Sequence, residues 1–254
     1  LWDGCDGQGK PIPAGTYVWK GIWHKPITAE WRFSVNNSGT PPYPTDDNTG
    51  GWGGDHGTPS AACPLENGML LSWNFCEYGW GIIRTDLDGR KVWGSKYNAD
   101  HMATNGRYLF ISGGHGFRDV AGVSILDVSD SRPVCLPNGK SAYVAPEGGS
   151  AAANMPSGLA YADGKLYVAY AKRNLIAVFK VDDASIVTTL AVPTPVRLMV
   201  RSDGVVVAIS KRKVVAVSKD AVTDLITTQL DDPVSVPAGA DGPFYVANRG
   251  ALQN

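Results

Sequence analysis

The sequence has little net charge and no long hydrophobic run. Among its 254 residues, 23 Lys and Arg nearly balance 24 Asp and Glu, so the formal net charge is −1. A field this weak excludes nucleic-acid binders that act through bulk positive charge. The longest stretch of low charge, residues 148–162, is short and rich in Gly, Ala and Ser, which excludes a membrane-spanning helix there. We therefore expect neither a nucleic acid nor a membrane as partner.

Several motifs of catalytic and metal-binding proteins are also absent. The four cysteines form no CxxC pair and no zinc spacing, and none of them flanks a histidine at a useful distance. No G-x-S-x-G sequence occurs either. Zinc fingers, cysteine nucleophiles and serine hydrolases of that type are therefore unsupported, and the sequence identifies neither a metal nor a cofactor. The even number of cysteines leaves open either two disulfides or four thiols.

What is abundant is glycine in a repeated setting. Five segments share an alternating apolar run, then Asn-Gly or Asp-Gly, then a second apolar run. Such dipeptides predict β-hairpins with type I′ turns, in which both central residues have positive φ. The repeated glycines are Gly68, Gly106, Gly164, Gly204 and Gly242, with spacings of 38, 58, 40 and 38 residues.

A period of about 40 residues with four strands per unit is typical of a β-propeller blade. The sequence therefore predicts an all-β fold, a β-propeller with about five visible blade repeats, the last of them incomplete. The longer spacing of 58 residues fits one inserted loop over residues 136–154. A sandwich of hairpins is the alternative. The repeats resemble those of NHL and WD-type propellers in bacterial extracellular proteins.

The N-terminal residues carry a different pattern, WDGxDxxGxxxPxGxY. It resembles the closing hairpin of the immunoglobulin-like module of flagellar hook-capping proteins. This resemblance implies an extracellular structural module without catalytic residues, and hence an extracellular or periplasmic location. The matching residues are Trp2, Asp3, Gly4, Asp6, Gly9, Pro13, Gly15 and Tyr17.

Three regions are expected along the chain. Residues 1–35 form either the tail of the immunoglobulin-like module or a hairpin that closes the ring, residues 36–58 form a Gly- and Pro-rich loop, and residues 59–254 form the propeller. The chain begins with Leu1 rather than Met, and the fifth repeat stops soon after residue 248. We therefore expect either a piece of a larger protein or a ring closed by the N-terminal strands, which would remove two exposed edges.

Strand parity places the candidate functional residues on one face. If the strands of a blade are lettered A to D from the axis outwards, the D–A and B–C loops lie on the same face, and loops held by a rigid scaffold are common binding sites. Histidine suits metal ligation or acid–base chemistry, so His56, His101 and His115 are the catalytic candidates. The ligand-binding candidates are Asp55, Trp52, Tyr78, Arg118, Asp119, Arg173, Arg212 and Arg249.

Two functions follow from this face, and a third needs no site. In the first, arginines hold the carboxylates of a polysaccharide or protein ligand and aromatic rings support sugar rings. In the second, the histidines and arginines at the axial mouth form a lyase or hydrolase that acts on an acidic polysaccharide, an idea that rests on analogy of fold. In the third, the propeller is a structural spacer of a large surface protein. Binding is the function that we expect.

Overall fold

The computed structural model describes residues 4–5, 8–16, 53–54, 57–77, 79–113, 122–218, 220–226, 230, 233–235 and 246–248. The described residues form a β-propeller, which confirms the predicted all-β fold, but they contain four complete blades and not five. Each blade is an antiparallel sheet of four strands in chain order from the axis outwards. The fifth repeat supplies only a two-stranded sheet, and its predicted turn at Gly242 lies outside the described residues.

The strands alternate in direction from one to the next along the chain. The first blade comprises β1 (Pro59–Leu65), β2 (Gly68–Trp73), β3 (Ile82–Thr85) and β4 (Lys91–Ser95), and the second comprises β5 (His101–Thr104), β6 (Tyr108–Ser112), β7 (Val123–Asp127) and β8 (Ala142–Tyr143). The third comprises β9 (Gly158–Ala162), β10 (Lys165–Tyr170), β11 (Leu175–Lys180) and β12 (Ile186–Ala191). The fourth comprises β13 (Pro195–Val200), β14 (Val206–Ser210), β15 (Lys213–Val217) and β16 (Val222–Ile226), and the two-stranded sheet pairs β17 (Pro233–Ser235) with β18 (Ala247–Asn248).

The four described Asx-Gly pairs of the repeats lie at the A–B turns, but only one of these four has the predicted geometry. Asp163 and Gly164 have φ of 48° and 69°, as a type I′ turn requires. At Gly106 and Gly204 only the glycine has positive φ. Gly68 instead lies at the start of β2, where an added Cβ would sit 1.9 Å from the carbonyl oxygen of Thr85. The Asx-Gly pairs therefore predicted where these hairpins turn, but not the type of turn.

The core lies between the blades. The first strands of neighbouring blades lie against one another around the axis. Between the second and third blades, the rings of Phe110, Tyr143 and Phe179 meet edge to face, with centroids 5.7 and 5.6 Å apart. Edge-to-face pairs of this kind contribute about 0.5–1.5 kcal/mol beyond the area that they bury. Blade-to-blade packing of apolar side chains thus holds the propeller together.

The connection over residues 136–154 is more than an inserted loop, because it contains β8, the outer strand of the second blade. The remainder is anchored by Arg173, which follows β10 in a single 3-10 turn, Ala171–Arg173. The guanidinium of Arg173 donates to the carbonyl oxygens of Pro146 and Glu147 and to the side chain of Asn154, over 2.7 to 3.0 Å. That 3-10 turn is the one helical segment in the part of the chain described, and no helix there is long and apolar enough to cross a membrane.

The immunoglobulin-like hairpin stays a prediction. The described N-terminal residues make one isolated bridge, between Cys5 and Pro11, and the amide of Ile12 donates to the carbonyl oxygen of Gly4 over 3.0 Å. Residues 17–35 lie outside the described residues, and of the loop expected over residues 36–58 the structure describes only 53–54 and 57–58.

Candidate functional site

A cavity of about 510 Å³ lies on the propeller axis. Every blade lines it with residues near the beginning of its first strand, so it opens towards the face that carries the D–A loops. Its lining includes Ser60, Asp100, His101, Gly158, Arg197 and, from β17, Val234. A volume of this size is within the range of about 300–1,000 Å³ that is usual for small-molecule sites.

The cationic group in this cavity is Arg197, which is held in an unusual backbone conformation. Arg197 has φ of 50° and is the bulged residue of β13, between Val196 and Leu198. A positive φ in a residue other than glycine costs on the order of 1–3 kcal/mol and persists where its surroundings enforce it. A bulge also redirects a side chain that would otherwise follow the pleat of the strand. The bulge therefore determines that Arg197 faces the cavity.

Two residues at the start of the third blade enforce the bulge. The carbonyl oxygen of Ser157 accepts the amide of Arg197 over 3.0 Å, and the hydroxyl of Ser157 donates to the carbonyl oxygen of Pro195 over 2.7 Å. Gly158 lets the bulge approach, because a Cβ there would lie 2.7 Å from the amide nitrogen of Leu198 and 2.9 Å from that of Arg197. The site is thus built across the interface of the third and fourth blades.

The guanidinium of Arg197 contacts the second blade through one of its nitrogens. Arg197 Nη1 lies 3.3 Å from the carbonyl oxygen of Asp100 and 3.2 Å from Nδ1 of His101. Because arginine only donates, Nδ1 of His101 must carry a lone pair in this contact, which leaves the proton of the neutral ring on Nε2. The contact itself thus assigns the tautomer.

The electrostatics agree with a neutral His101 ring. Burial of the ring, and after it the positive charge of Arg197, lower the pKa of His101 from 6.5 to about 4, although the charge of Asp100 partly opposes both effects. Near neutral pH the pair therefore has one positive charge, on Arg197, and one donor from His101, at Nε2.

The other edge of the Arg197 guanidinium is open as far as the described residues are concerned. Among the described residues, neither Nε nor Nη2 of Arg197 has a hydrogen-bond partner, and no carboxylate of that set lies within 4.0 Å of them. These two nitrogens form a planar pair of donors that matches the two oxygens of a carboxylate. Among the described residues, Arg197 therefore has no direct ion-pair partner, although the Asp100 side chain lines the same cavity, and its open edge has the geometry to bind one carboxylate.

Three of the predicted site residues are described, and the structure does not bring them together. His101 lines the axial cavity. Arg173 instead anchors the connection after the second blade. Arg212 forms two hydrogen bonds with the backbone of Leu230: its Nε donates to the Leu230 carbonyl oxygen, and the Leu230 amide donates to the Arg212 carbonyl oxygen. The other predicted residues lie outside the described residues: His56, His115, Asp55, Trp52, Tyr78, Arg118, Asp119 and Arg249.

Arg197 was not among the site residues predicted from the sequence. The one sign of it in the sequence is a charged residue within the apolar run Pro195–Val200. The alternation of that run predicts a regular strand and gives no indication of a bulge. Among the described residues no group of three or more His, Cys, Asp and Glu could hold a metal ion. The polar donors of the described cavity include the guanidinium of Arg197 and Nε2 of His101.

Comparison with known proteins supports the fold alone. No protein-family model and no curated protein matches the sequence. Among solved structures, the chain is similar to a streptogramin B lyase, with 13% identity over 75% of this chain and 62% of that chain and a TM-score of 0.54. It is also similar to a catalytically inactive histidine-to-alanine variant of virginiamycin B lyase from Staphylococcus aureus with quinupristin, with 17% identity over 76% and 64% of the two chains and a TM-score of 0.53.

A third similar structure is a putative 6-phosphogluconolactonase from Bacteroides uniformis, with 14% identity over 75% of this chain and 64% of that chain and a TM-score of 0.52. The chain spans less than two thirds of the length of each of these three proteins. At such identities the similarity defines the class, a β-propeller, and transfers no activity.

Proposed function

We propose that the protein binds a carboxylate-bearing glycan, whose acidic group enters the axial cavity and pairs with Arg197. The observation that carries this proposal is the open Nε–Nη2 edge of Arg197, held in place by a strained bulge. A uronate supplies the matching pair of oxygens, and hydroxyl groups of the same sugar can accept from Nε2 of His101. A carboxylate of a protein ligand has the same chemistry at Arg197 but lacks the ring hydroxyls.

The lyase or hydrolase alternative needs a base beside the bound sugar. His101 does not supply one while its Nδ1 accepts from Arg197, because Nε2 is then protonated and donates. Recognition is therefore the better supported role for the pair. We further propose an extracellular or periplasmic location and a bacterial origin, and the N-terminal resemblance to the hook-capping module supports both.

The test is calorimetric titration with oligogalacturonate, and with a neutral galactose oligomer as the matched ligand. We expect binding of the acidic oligomer and weakening by about 10-fold or more in Arg197→Gln, because a charged hydrogen-bonded contact contributes about 1.5–3 kcal/mol. The control variant is Arg132→Gln, since Arg132 forms an exposed surface pair with Asp130. Equal affinity for the two oligomers, or equal binding by wild type and Arg197→Gln, would contradict the proposal. Absence of any acidic ligand would favour the structural spacer.

A further inference from the structure

The chain contains three Asn-Gly pairs, and this dipeptide is able to modify itself. The amide nitrogen of the glycine can attack the side-chain carbonyl carbon of the asparagine and close a five-membered succinimide ring. Glycine permits this close approach because it has no Cβ, and asparagine is accordingly among the thermolabile residues. Since the reacting groups are the same in each pair, differences in their reactivity come from the fold. The pairs are Asn67-Gly68, Asn105-Gly106 and Asn138-Gly139.

The side chain of Asn105 meets two donors in the A–B turn of the second blade, between β5 and β6. Its Oδ1 accepts the backbone amides of Arg107 and Tyr108 over 3.0 and 2.7 Å. Two amides that converge on one carbonyl oxygen stabilise the negative charge that develops there during attack at the carbonyl carbon. The turn thus supplies Asn105 with the donors of an oxyanion hole.

The leaving group and the attacking nitrogen of this pair are little restrained. Among the described residues, Nδ2 of Asn105 has no hydrogen-bond partner, so no contact of that set opposes its departure. Gly106 is exposed, and an added Cβ there would meet no other part of the chain within 4 Å. Its amide donates to the side-chain hydroxyl of Thr104 over 3.0 Å, a partner that water can replace.

The pair Asn138-Gly139 is held by backbone carbonyls at both reacting ends. Nδ2 of Asn138 donates to the carbonyl oxygen of Asp183 in the third blade over 2.6 Å. The amide of Gly139 donates to the carbonyl oxygen of Leu136 over 2.8 Å. Ring closure here must break both hydrogen bonds, one of which joins two blades.

The pair Asn67-Gly68 is restrained by packing of the backbone. Gly68 is buried at the start of β2, and an added Cβ there would sit 1.9 Å from the carbonyl oxygen of Thr85. The guanidinium of Arg84 donates to Oδ1 of Asn67 over 3.2 Å and polarises that carbonyl too. The backbone, however, has no room for the rotation that ring closure needs. Reaction is therefore favoured at Asn105.

We propose that Asn105 is a site of self-modification, at which the folded chain loses ammonia and gains a carboxylate. The nitrogen of Gly106 forms a bond to Cγ of Asn105, the bond from Cγ to Nδ2 breaks, and the proton of the Gly106 amide leaves with Nδ2 as ammonia. One water molecule then hydrolyses either C–N bond of the succinimide, which gives aspartate or isoaspartate at position 105. The reaction uses water alone and involves no change of oxidation state.

The aspartate product fits the turn, because a carboxylate already has this role in the fourth blade. There Oδ1 of Asp203 accepts the amide of Val205 over 3.2 Å, as Oδ1 of Asn105 does from Arg107. Isoaspartate instead adds one carbon to the main chain of the turn. Either product adds a negative charge at a position that shares no residue with the axial cavity, so the inference goes beyond the glycan site.

The test follows the folded protein by isoelectric focusing during incubation at pH 8, because each conversion adds one negative charge, and peptide mass spectrometry locates the converted residue. We expect Asn105 to convert at least about 10-fold faster than Asn67 and Asn138. In urea the restraints of the fold are lost, and the three rates should become similar. Conversion of Asn67 or Asn138 as fast as Asn105, the same preference for Asn105 in urea, or no conversion of Asn105 would overturn the proposal.

Two glycine variants provide a matched comparison. Gly106 and Gly139 have φ of 86° and 82°, and an added Cβ at either meets no other part of the chain within 4 Å, so alanine has a similar backbone cost at both. We expect Gly106→Ala to slow the gain of charge by the folded protein about 10-fold, because the methyl group hinders the approach of the amide nitrogen. Gly139→Ala should leave it unchanged. Equal slowing by the two variants, or none by Gly106→Ala, contradicts the assignment to Asn105.

Discussion

Two buried tyrosines in one hydrophobic cluster differ in whether their hydroxyl groups are satisfied. Tyr143 and Tyr170 are both 0% exposed and both pack between the second and third blades. The Tyr143 hydroxyl donates to the carbonyl oxygen of Val181 over 2.8 Å. The Tyr170 hydroxyl has no hydrogen-bond partner among the described residues. Replacement of each tyrosine by phenylalanine removes the same atom from two different environments.

The expected effects have opposite directions. Tyr143→Phe removes a hydrogen bond worth about 1 kcal/mol and withdraws a donor from the buried carbonyl of Val181, so we expect it to lower the free energy of unfolding by about 1–3 kcal/mol. Tyr170→Phe removes a buried hydroxyl that has lost its water without gaining a partner, and its effect is expected between zero and a gain of about 1 kcal/mol. The two variants should thus differ by about 1–4 kcal/mol.

Equilibrium unfolding in urea measures this difference. The dependence on urea concentration should be the same in wild type and both variants, because neither substitution changes the surface exposed on unfolding. The reasoning is refuted if Tyr170→Phe destabilises the protein as much as Tyr143→Phe does. Such a result would mean that the Tyr170 hydroxyl is satisfied in solution, for example by a buried water.

Three further predictions concern single side chains. The pKa of His101 falls from 6.5 to about 4 on folding, so the folded state favours the neutral ring, and the free energy of unfolding should decline as the pH falls from about 6.5 through 4. His101→Gln should make this decline shallower. If the free energy of unfolding of His101→Gln depends on pH as that of wild type does, the lowered pKa of His101 is contradicted. Burial raises the pKa of the Cys63 thiol to about 12, so iodoacetamide at pH 8 should alkylate exposed Cys135 and spare Cys63 until urea is added, as mass spectrometry of peptides would show. Arg173→Ala removes three hydrogen bonds to the connection after the second blade, so limited proteolysis should cleave residues 146–154 faster than in wild type, and equal rates would refute the anchoring role.

The strained bulge at Arg197 joins fold and function. A bulge at a site of binding commonly redirects a side chain at a cost in stability. Ser157 and Gly158 stabilise this bulge from the neighbouring blade, so the orientation of the cationic group depends on the packing of two repeats. We therefore expect the proposed recognition at the axis to be sensitive to how the third and fourth blades meet.

The sequence by itself determined the β-hairpins and their periodic arrangement. Asp163 and Gly164 lie in a turn that needs positive φ, and the alternating runs on either side form β9 and β10, because turn preference and pleat are properties of neighbouring residues. Four of the five repeats became blades for this reason. The fifth repeat supplies only a two-stranded sheet among the described residues, because one Asp-Gly pair predicts a hairpin and does not specify the two further strands that a blade needs.

The tertiary structure alone decided which residues form the candidate site. Arg197 and His101 are 96 residues apart in the chain, and their contact exists because the first strands of all blades converge on one axis. Local pattern placed Arg197 within a regular strand, whereas contact with Ser157 and Gly158 places it in a bulge that faces the cavity. The same holds for Arg173, a predicted ligand-binding residue whose guanidinium meets the backbone carbonyls of Pro146 and Glu147 in the fold. Side-chain direction at such positions depends on long-range packing, which no short stretch of sequence encodes.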